Sequence, residues 1–223
     1  MKQVCRFLPV LALLPFCIPF ASAQNAVDIG MGFGGAWASA NASGIDNANS
    51  ISNAFGSCTP GKSDVNCQAL PSLSNFFLGF GGDVMVKPKF GVGADFSISP
   101  SQSAYGPLNY RQSFYDFDGI YRPIDNKHAA LDVHVGIGGA RTSFSYSQSS
   151  CVGTAVCSSQ AESVGSASHF QTHFGVGVQI YVHNHFFVRP EFDLHYVNNL
   201  TDQFGRNMVP QAMVWVGYSL NSK

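Results

Sequence analysis

Acids, histidines and arginines occupy alternate positions in several apolar segments of this chain. In the segment FFVRPEFDLHY, for example, the polar residues Arg189, Glu191, Asp193 and His195 alternate with apolar ones. Side chains two residues apart point to the same face of a β-strand, so this spacing gathers ionisable groups on one face. Along the whole chain it predicts an interior polar network of Asp83, Asp95, Asp116, Asp118, Arg122, Asp132, His134, His173, Arg189, Glu191, Asp193 and His195.

Carboxylates crowded on one face must share protons or recruit cations, because buried charge without a partner is costly. Arg122 and Arg189 are the natural bridging donors, and the pattern places Lys87 on the same face. We therefore expect a salt-bridge network that holds the interior, with a narrow proton or ion path as the alternative. Reflection about the short turns predicts three cross-strand pairs, which are Asp118 with Asp132, Asp116 with His134, and His173 with His195.

The sequence shows no constellation typical of catalysis. A serine hydrolase needs a Ser nucleophile, a His base and an acid that orients it. Ser168 is adjacent to His169 and so points to the opposite face, while Ser97 and Ser145 have no His at cross-strand distance. We therefore expect no enzymatic activity and no cofactor.

Two histidine pairs are candidate metal ligands. His183 and His185 flank a short turn, and His173 and His195 are expected to face each other, but neither pair has an evident third ligand. We therefore expect no metal site.

The elements that position these groups are strands with a period of two residues. One face is apolar and aromatic, and the other is polar or bare. The pattern predicts eight strands, at residues 27–40, 75–87, 90–99, 111–122, 128–146, 170–182, 186–196 and 208–220. Apolar side chains that face lipid and polar side chains that fill the interior would make a membrane barrel, whereas a soluble barrel or sandwich would use the reverse arrangement.

The connections between these strands alternate in length. Long polar loops are predicted at residues 41–73, 100–109, 147–166 and 198–207, and short turns at residues 88–89, 123–126 and 183–185. Outer-membrane barrels have short periplasmic turns and longer extracellular loops, and a soluble barrel has no reason to sort its loops in this way. The sorting favours the membrane barrel.

The first segment and the cysteines indicate export. Lys2 and Arg6 precede an apolar run that ends at Ala21-Ser22-Ala23, so residues 1–23 are predicted to be a signal peptide cleaved near Ala23, and residues 24–223 the barrel domain. Four cysteines remain after cleavage, each pair within one polar segment. In an exported protein this spacing predicts two local disulfides, Cys58 with Cys67 and Cys151 with Cys157, rather than a zinc site.

From residue 24 to its end, the chain resembles the small outer-membrane β-barrel family that includes the OmpA-type membrane domain and OmpX. The resemblance rests on the alternation, the loop sorting, the segment FFVRPEFDLHY and the closing strand VWVGYSL. It implies an all-β, eight-stranded, antiparallel, up-and-down transmembrane β-barrel in the outer membrane of a Gram-negative-type cell. The residues Ser219 to Lys223, which trail after Tyr218, depart from the aromatic end that such barrels often have.

The resemblance also implies a filled, monomeric barrel with a structural or surface-interaction role, in adhesion or host contact. Its partners would be outer-membrane lipid and lipopolysaccharide, the barrel-assembly machinery during insertion, and an extracellular surface partner. Charged residues make up only 11% of the chain and the net charge is -1, which argues against nucleic-acid binding. The alternatives are a narrow transport barrel for protons, small ions or a hydrophobic molecule, and a lipid-modifying hydrolase.

Overall fold

The computed structural model describes residues 26–39, 72–105, 108–152, 156–183 and 185–220. The predicted signal peptide and the pair Cys58 and Cys67 lie outside these residues. The described elements, in chain order, are β1 (Val27–Ala38), β2 (Leu73–Lys87), β3 (Phe90–Ile98), β4 (Ser103–Tyr105), β5 (Leu108–Asp125), β6 (Ala129–Val152), β7 (Val156–His183), β8 (Phe186–Val197), α1 (Thr201–Phe204) and β9 (Met208–Ser219).

The long strands form a closed antiparallel barrel. The order β3-β2-β1-β9-β8-β7-β6-β5 is closed by pairing between β3 and β5, which gives a ring of eight strands. The short strand β4 pairs only with β5 and lies above this ring. Closure leaves the ring without an open sheet edge. The predicted eight-stranded antiparallel barrel is confirmed.

The period-two pattern of the sequence matches the burial of the strands. In β7, the side chains from Gln171 to Ile180 alternate strictly between buried and exposed. The exposed set is apolar around the barrel, and Phe80 and Phe117 are each 64% exposed. The buried set includes seven carboxylates and two arginines. An apolar outer surface around a polar interior is the arrangement of a barrel that lies in lipid. Within the described residues, no helix has the length and apolar character needed to cross a membrane.

The two ends of the barrel differ. The turn end carries the tight connections between β2 and β3, β5 and β6, and β7 and β8. The turn predicted at residues 123–126 is wrong, because β5 continues to Asp125. A β-bulge between Tyr121 and Ile124 accommodates Pro123, which has no N–H to donate to a regular ladder. The turn therefore falls at residues 126–128, and the register between β5 and β6 shifts.

At the other end, which we call the loop end, β6 and β7 extend far beyond their neighbours. The loop predicted at residues 147–166 is wrong, because the two strands stay paired up to Val152 and Val156. The last β5 partner of β6 is Asn109, opposite Ser145, and the last β8 partner of β7 is Val197, opposite Gln171. Residues 146–152 and 156–170 therefore form a two-stranded ribbon above the rim.

Two other predicted loops contain regular structure. The loop at residues 100–109 holds β4 and the start of β5, which pair as Ser103 with Tyr110 and Tyr105 with Leu108. The loop at residues 198–207 holds α1, whose last turn is closed by Gly205 in the left-handed conformation. Both segments fold over the loop end of the barrel, as the contacts of their aromatic residues show below.

Candidate functional site: the charged barrel interior

The structure places the predicted interior residues on the inner faces of β2, β3, β5, β6, β7 and β8. Eleven of the twelve are buried, and Asp95 is half-buried. Lys87 was predicted to point inward but is exposed, because a β-bulge between Met85 and Lys87 reverses the alternation just before the turn. Sequence reasoning left several inner-face residues out of the network, among them Asp28, Gln171, Gln179, Gln211 and Trp215.

Glycines provide the space for the interior carboxylates. A Cβ atom added at Gly138 would lie 2.8 Å from Oδ1 of Asp116, and one added at Gly93 would lie 2.5 Å from Oδ1 of Asp83. At Gly81 and Gly136 it would overlap the carboxylates of Asp95 and Asp118 respectively. Each carboxylate therefore lies over a bare position of a neighbouring strand, which explains why the inner faces combine acids with glycines.

The layer nearest the turn end is built around Arg122, which is 2% exposed. Its Nε donates to Oδ1 of Asp132 at 2.6 Å, and its Nη2 donates to Oδ2 of Asp132 at 3.0 Å. The same Nη2 lies 3.2 Å from Oδ2 of Asp28, which also accepts a hydrogen bond from Gln179. A bidentate pair between Arg and a carboxylate is one of the stronger ion pairs in proteins. Arg122 thus joins strands β1, β5 and β6.

The middle layer is built around Arg189. Its Nη1 forms a close ion pair with Oδ2 of Asp83, and its Nε lies 3.0 Å from Oε2 of Glu191. The indole Nε1 of Trp215 donates to the other oxygen of Glu191 at 2.7 Å, and the guanidinium carbon lies 5.6 Å from the centroid of the Trp215 ring. At this distance the ring attracts the cation.

The third layer contains a pair of stacked histidines. His173 and His195 are opposite each other in the register of β7 and β8, with ring centroids 4.8 Å apart. The Nδ1 atom of His173 lies 2.8 Å from Oδ1 of Asp118, and its Nε2 atom lies 3.0 Å from Oδ1 of Asp193. His195 instead meets the amide oxygen of Gln211 at 3.0 Å. One histidine thus lies between two carboxylates, and the other bonds a neutral amide while its Nδ1 atom lies 3.8 Å from Oδ2 of Asp116.

The other two predicted cross-strand pairs are wrong. Asp118 is opposite Gly136 and Asp116 is opposite Gly138, because the bulge around Pro123 and the later turn shift the register by about four residues relative to the reflection used. His134 is opposite Ile120 and Gly175. Arg122 is consequently the partner of Asp132.

Above these layers, an aromatic cap closes the loop end of the barrel. We define it as Tyr105, Tyr110, Phe144 and Phe204, which are all at most 2% exposed. The Tyr105 ring packs edge-on against Phe144 at 5.0 Å and Phe204 at 5.5 Å, and Tyr110 packs against Phe204 at 5.0 Å. The Tyr105 hydroxyl donates to the backbone oxygen of Gln203 at 2.5 Å, and burial raises the pKa of this hydroxyl.

Sequence reasoning missed this cap because its members come from strand ends and loops that are far apart in the chain. No local period brings them together. The one signal in the sequence was an aromatic residue in each of two polar loops, Tyr105 and Phe204. Within the described residues, these buried rings cover the charged interior at the loop end of the barrel.

Comparisons with known proteins agree with this architecture. Residues 8–214 match the family described as outer membrane protein beta-barrel domain. No curated protein matches the chain. Among solved structures, the chain is similar to Neisserial surface protein A, with 11% identity, a TM-score of 0.51, and coverage of 89% of this chain and 97% of that one.

Two further solved structures show lower TM-scores. The attachment invasion locus protein Ail of Yersinia pestis has 14% identity, a TM-score of 0.48, and coverage of 88% of this chain and 97% of that one. The outer membrane protein OprG from Pseudomonas aeruginosa has 14% identity, a TM-score of 0.46, and coverage of 89% and 97%. At such low identities the comparison concerns the fold alone.

Proposed function

The chain belongs to the outer membrane protein beta-barrel family, and we propose that it is a surface-interaction barrel whose β6–β7 ribbon binds an extracellular partner. The family establishes its location in the outer membrane. In such barrels the short turns face the periplasm and the long connections face the cell exterior. The ribbon is therefore the part of the described chain that extends farthest toward the exterior.

The observation that carries this proposal is the length of the ribbon. Residues 146–152 continue β6 beyond its last pair with β5, and residues 156–170 continue β7 beyond its last pair with β8. At about 3.3 Å per residue, the β6 extension alone adds about 20 Å of strand. Among the described residues, each ribbon strand has one neighbour above the rim, so each has a backbone edge that no other described strand pairs with. Such edges bind extended peptide segments by adding a strand.

The sequence of the ribbon supports a partner recognised through the backbone. Residues 147–166 contain Ser, Gln, Ala, Val, Gly, Thr and Cys, with Glu162 as the single charged residue. Residues 147–166 have no Lys or Arg to attract polyanions and no aromatic residue to anchor a typical side-chain interface. The exposed aromatic residues Tyr146 and Phe170 lie at the base of the ribbon, beside the rim. An extended segment of a host or neighbouring-cell protein is the partner that this edge fits.

The cysteine pair fits the same role. Cys151 and Cys157 are directly opposite each other in the register of β6 and β7, at the outer end of the ribbon. Directly opposed positions of antiparallel strands bring Cα atoms within the range that a disulfide spans. We propose that this disulfide forms and holds the ribbon as a preformed edge, which lowers the entropic cost of binding. The Cys58 and Cys67 disulfide remains a prediction.

The test is adhesion with a shortened ribbon. Replacing residues 148–160 by Asn-Gly joins Ser147 to Ala161, which are opposite each other, through a two-residue hairpin turn. Cells that display the shortened protein should lose adhesion to host cells or to immobilised extracellular protein. A matched control scrambles residues 148–160 with Cys151 and Cys157 fixed, and should retain adhesion if the backbone edge is recognised. Equal adhesion by wild-type and shortened proteins, at equal surface display, would overturn the proposal.

A second candidate function is passage of a hydrophobic molecule through the barrel wall. In the β7–β8 ladder, Gly177 pairs with Glu191, and the next pair is Ile180 with Val188. The ladder therefore has a gap at the level of Pro190. An outer groove with a volume of about 500 Å³ lies beside this gap, with Val178, Pro190, Phe192, Val214 and Phe33 among its lining residues. Because Pro190 has no N–H, the seam is weaker there than elsewhere.

Transport is tested by reconstitution into lipid. Uptake of an apolar fluorescent probe into vesicles should depend on the barrel and should fall when Pro190→Val closes the ladder. Ion or proton passage along the axis is tested separately in planar bilayers. Sustained ion-selective steps, abolished by Asp118→Ala or Arg189→Ala, would favour axial transport over the surface role. The aromatic cap supports the opposite expectation, which is no sustained conductance.

We also propose that the barrel is not an enzyme. Oγ of Ser97 accepts a hydrogen bond from Nε2 of Gln211, whose Oε1 meets His195. An amide between a serine and a histidine transfers no proton from the serine, so this arrangement lacks the base that a hydrolase requires. Incubation of the purified barrel with lipid A and phospholipid should leave both unchanged by mass spectrometry.

A further inference from the structure

The charges of the barrel interior are not balanced by its arginines. Apart from Asp125 at the end of β5, the buried or half-buried carboxylates of the described strands are those of Asp28, Asp83, Asp95, Asp116, Asp118, Asp132, Glu191 and Asp193. Arg122 pairs with Asp28 and Asp132. Arg189 pairs with Asp83 and Glu191. His173 lies between the carboxylates of Asp118 and Asp193.

Asp95 stands apart from this scheme. Among the residues that the structure describes, its carboxylate has no ion-pair partner, and its Oδ1 atom is buried without a hydrogen bond. Its immediate surroundings are the bare position of Gly81 and the inner face of β3. A carboxylate removed from water without a compensating charge is strongly disfavoured, so a cation or a proton has to accompany it.

Two other side chains converge on Asp95. Asp83 on β2, Asp95 on β3 and His134 on β6 each offer a ligand atom, and these atoms all lie within 4.8 Å of one another. The three strands are held in this relation by the closed ring, and β3 lies between β2 and β5. Three ligands within this distance can share one ion at ordinary metal–ligand bond lengths of about 2.0 to 2.2 Å after small side-chain rotations.

An independent observation points to a ligand here. His134 is 0% exposed, yet within the described residues neither Nδ1 nor Nε2 has a hydrogen-bond partner. Its Nε2 atom lies 3.6 Å from Oε2 of Glu191. Oδ1 of Asp83 is also buried without a hydrogen bond, although Oδ2 of the same carboxylate holds Arg189. Buried imidazoles nearly always have a partner, so this cluster is incomplete without one.

We propose that Asp83, Asp95 and His134 bind a divalent transition-metal ion such as Zn²⁺ or Mn²⁺ inside the barrel. Imidazole with two carboxylates suits these ions, whereas Ca²⁺ and Mg²⁺ prefer oxygen ligands alone. Oε2 of Glu191 lies 3.6 Å from Nε2 of His134 but already pairs with Nε of Arg189 at 3.0 Å, so we do not count it as a ligand. Arg189 orients Asp83 through Oδ2 and leaves Oδ1 for the metal. Groups that hydrogen-bond a metal ligand commonly fix its orientation in this way.

The ion would have a structural role and would stabilise the closed barrel. It joins β2, β3 and β6 across the interior and neutralises the carboxylate that the arginines leave unpaired. Because the ligands come together only in the closed barrel, metal binding would be coupled to folding. The sequence predicts no metal site, because these three ligands are far apart in the chain and no local spacing connects them. The proposal is independent of the surface role of the ribbon.

The test uses the full barrel without a histidine tag, refolded in detergent with and without Zn²⁺. Folded protein is selected by its altered gel mobility before heating, dialysed against metal-free buffer and subjected to elemental analysis. Wild-type protein should retain one Zn²⁺ per barrel. His134→Gln and Asp95→Asn should lower the affinity at least tenfold. His195→Gln is the matched control, because it removes an equally buried histidine whose Nε2 already bonds Gln211, and it should retain the metal.

A spectroscopic measurement keeps the proposal testable if a variant refolds poorly. Cu²⁺ bound to the wild-type barrel should show electron paramagnetic resonance coupling to one imidazole nitrogen, and His134→Gln should lose that coupling. Absence of retained Zn²⁺ in the wild-type barrel would overturn the proposal. So would retention by His134→Gln equal to that of the wild-type and His195→Gln proteins, or a Cu²⁺ spectrum without nitrogen coupling.

Discussion

The two ends of the barrel interior are closed by different physical interactions. At the loop end, Tyr105, Phe144 and Phe204 seal the barrel with ring-to-ring contacts of 5.0 to 5.5 Å. At the turn end, Arg122 seals it with hydrogen bonds of 2.6 to 3.2 Å to Asp132 and Asp28. Apolar packing depends on volume and tolerates exchange between similar shapes. A buried ion pair depends on every partner being present. The two ends should therefore respond differently to substitution.

The largest loss of stability is expected for a substitution at the turn end. Arg122→Met keeps most of the side-chain volume but leaves Asp28 and Asp132 buried without a cation. We expect a loss of about 3 to 5 kcal/mol in the free energy of unfolding, measured by urea titration in lipid vesicles. Adding Asp132→Leu should restore much of this loss, because Asp28 keeps its hydrogen bond from Gln179. A single variant as stable as wild type would show that the ion pairs do not hold this end.

The corresponding change at the loop end is Phe204→Ala. Phe204 is fully buried between Tyr105 and Tyr110, so its removal leaves a cavity. We expect a loss of about 3 kcal/mol in the free energy of unfolding, because α1 lies in a connection that can partly collapse. Phe204→Leu should cost less than about 1.5 kcal/mol. Equal losses for Ala and Leu would mean that the ring geometry, rather than the volume, closes the barrel.

The same contrast explains what the sequence could predict. The interior residues follow a period of two, so alternation alone identified His173, Arg189 and their neighbours as inward-facing, and the strand count and closure followed. The partners of these residues depended on register, which the bulge at Pro123 changed. The aromatic cap and the metal-ligand cluster arise from contacts between distant strands, and no local pattern carries them. The ribbon was mistaken for a loop because residues 147–166 are rich in Ser and lack the apolar alternation that identified the other strands.

The space reserved for carboxylates offers a finer test of the charged half. A Cβ atom at Gly136 would overlap Oδ1 of Asp118 and the backbone oxygen of Phe117, whereas one at Gly119 would find only the backbone oxygen of Val135, at 3.7 Å. Gly136→Ala should therefore destabilise by about 1 to 3 kcal/mol, and Gly119→Ala should stay within about 0.5 kcal/mol of wild type. The measurement is again urea unfolding in vesicles. Equal effects would mean that the interior is loosely packed around its acids.

The smallest expected effect concerns the hydroxyl of Tyr105 in the aromatic cap. Tyr105→Phe keeps the ring and removes the hydroxyl that donates to Gln203, so it should cost about 1 kcal/mol at neutral pH. Burial raises the pKa of the Tyr105 hydroxyl above its unfolded value of about 10. The stability linked to this group is therefore fully present below about pH 10 and is lost as the pH rises toward the folded-state pKa. Unfolding measured between neutral pH and pH 11 should show wild type losing more stability than Tyr105→Phe. Parallel losses in the two proteins would mean that the cap admits water to this hydroxyl, and that the loop end is less dry than its ring packing implies.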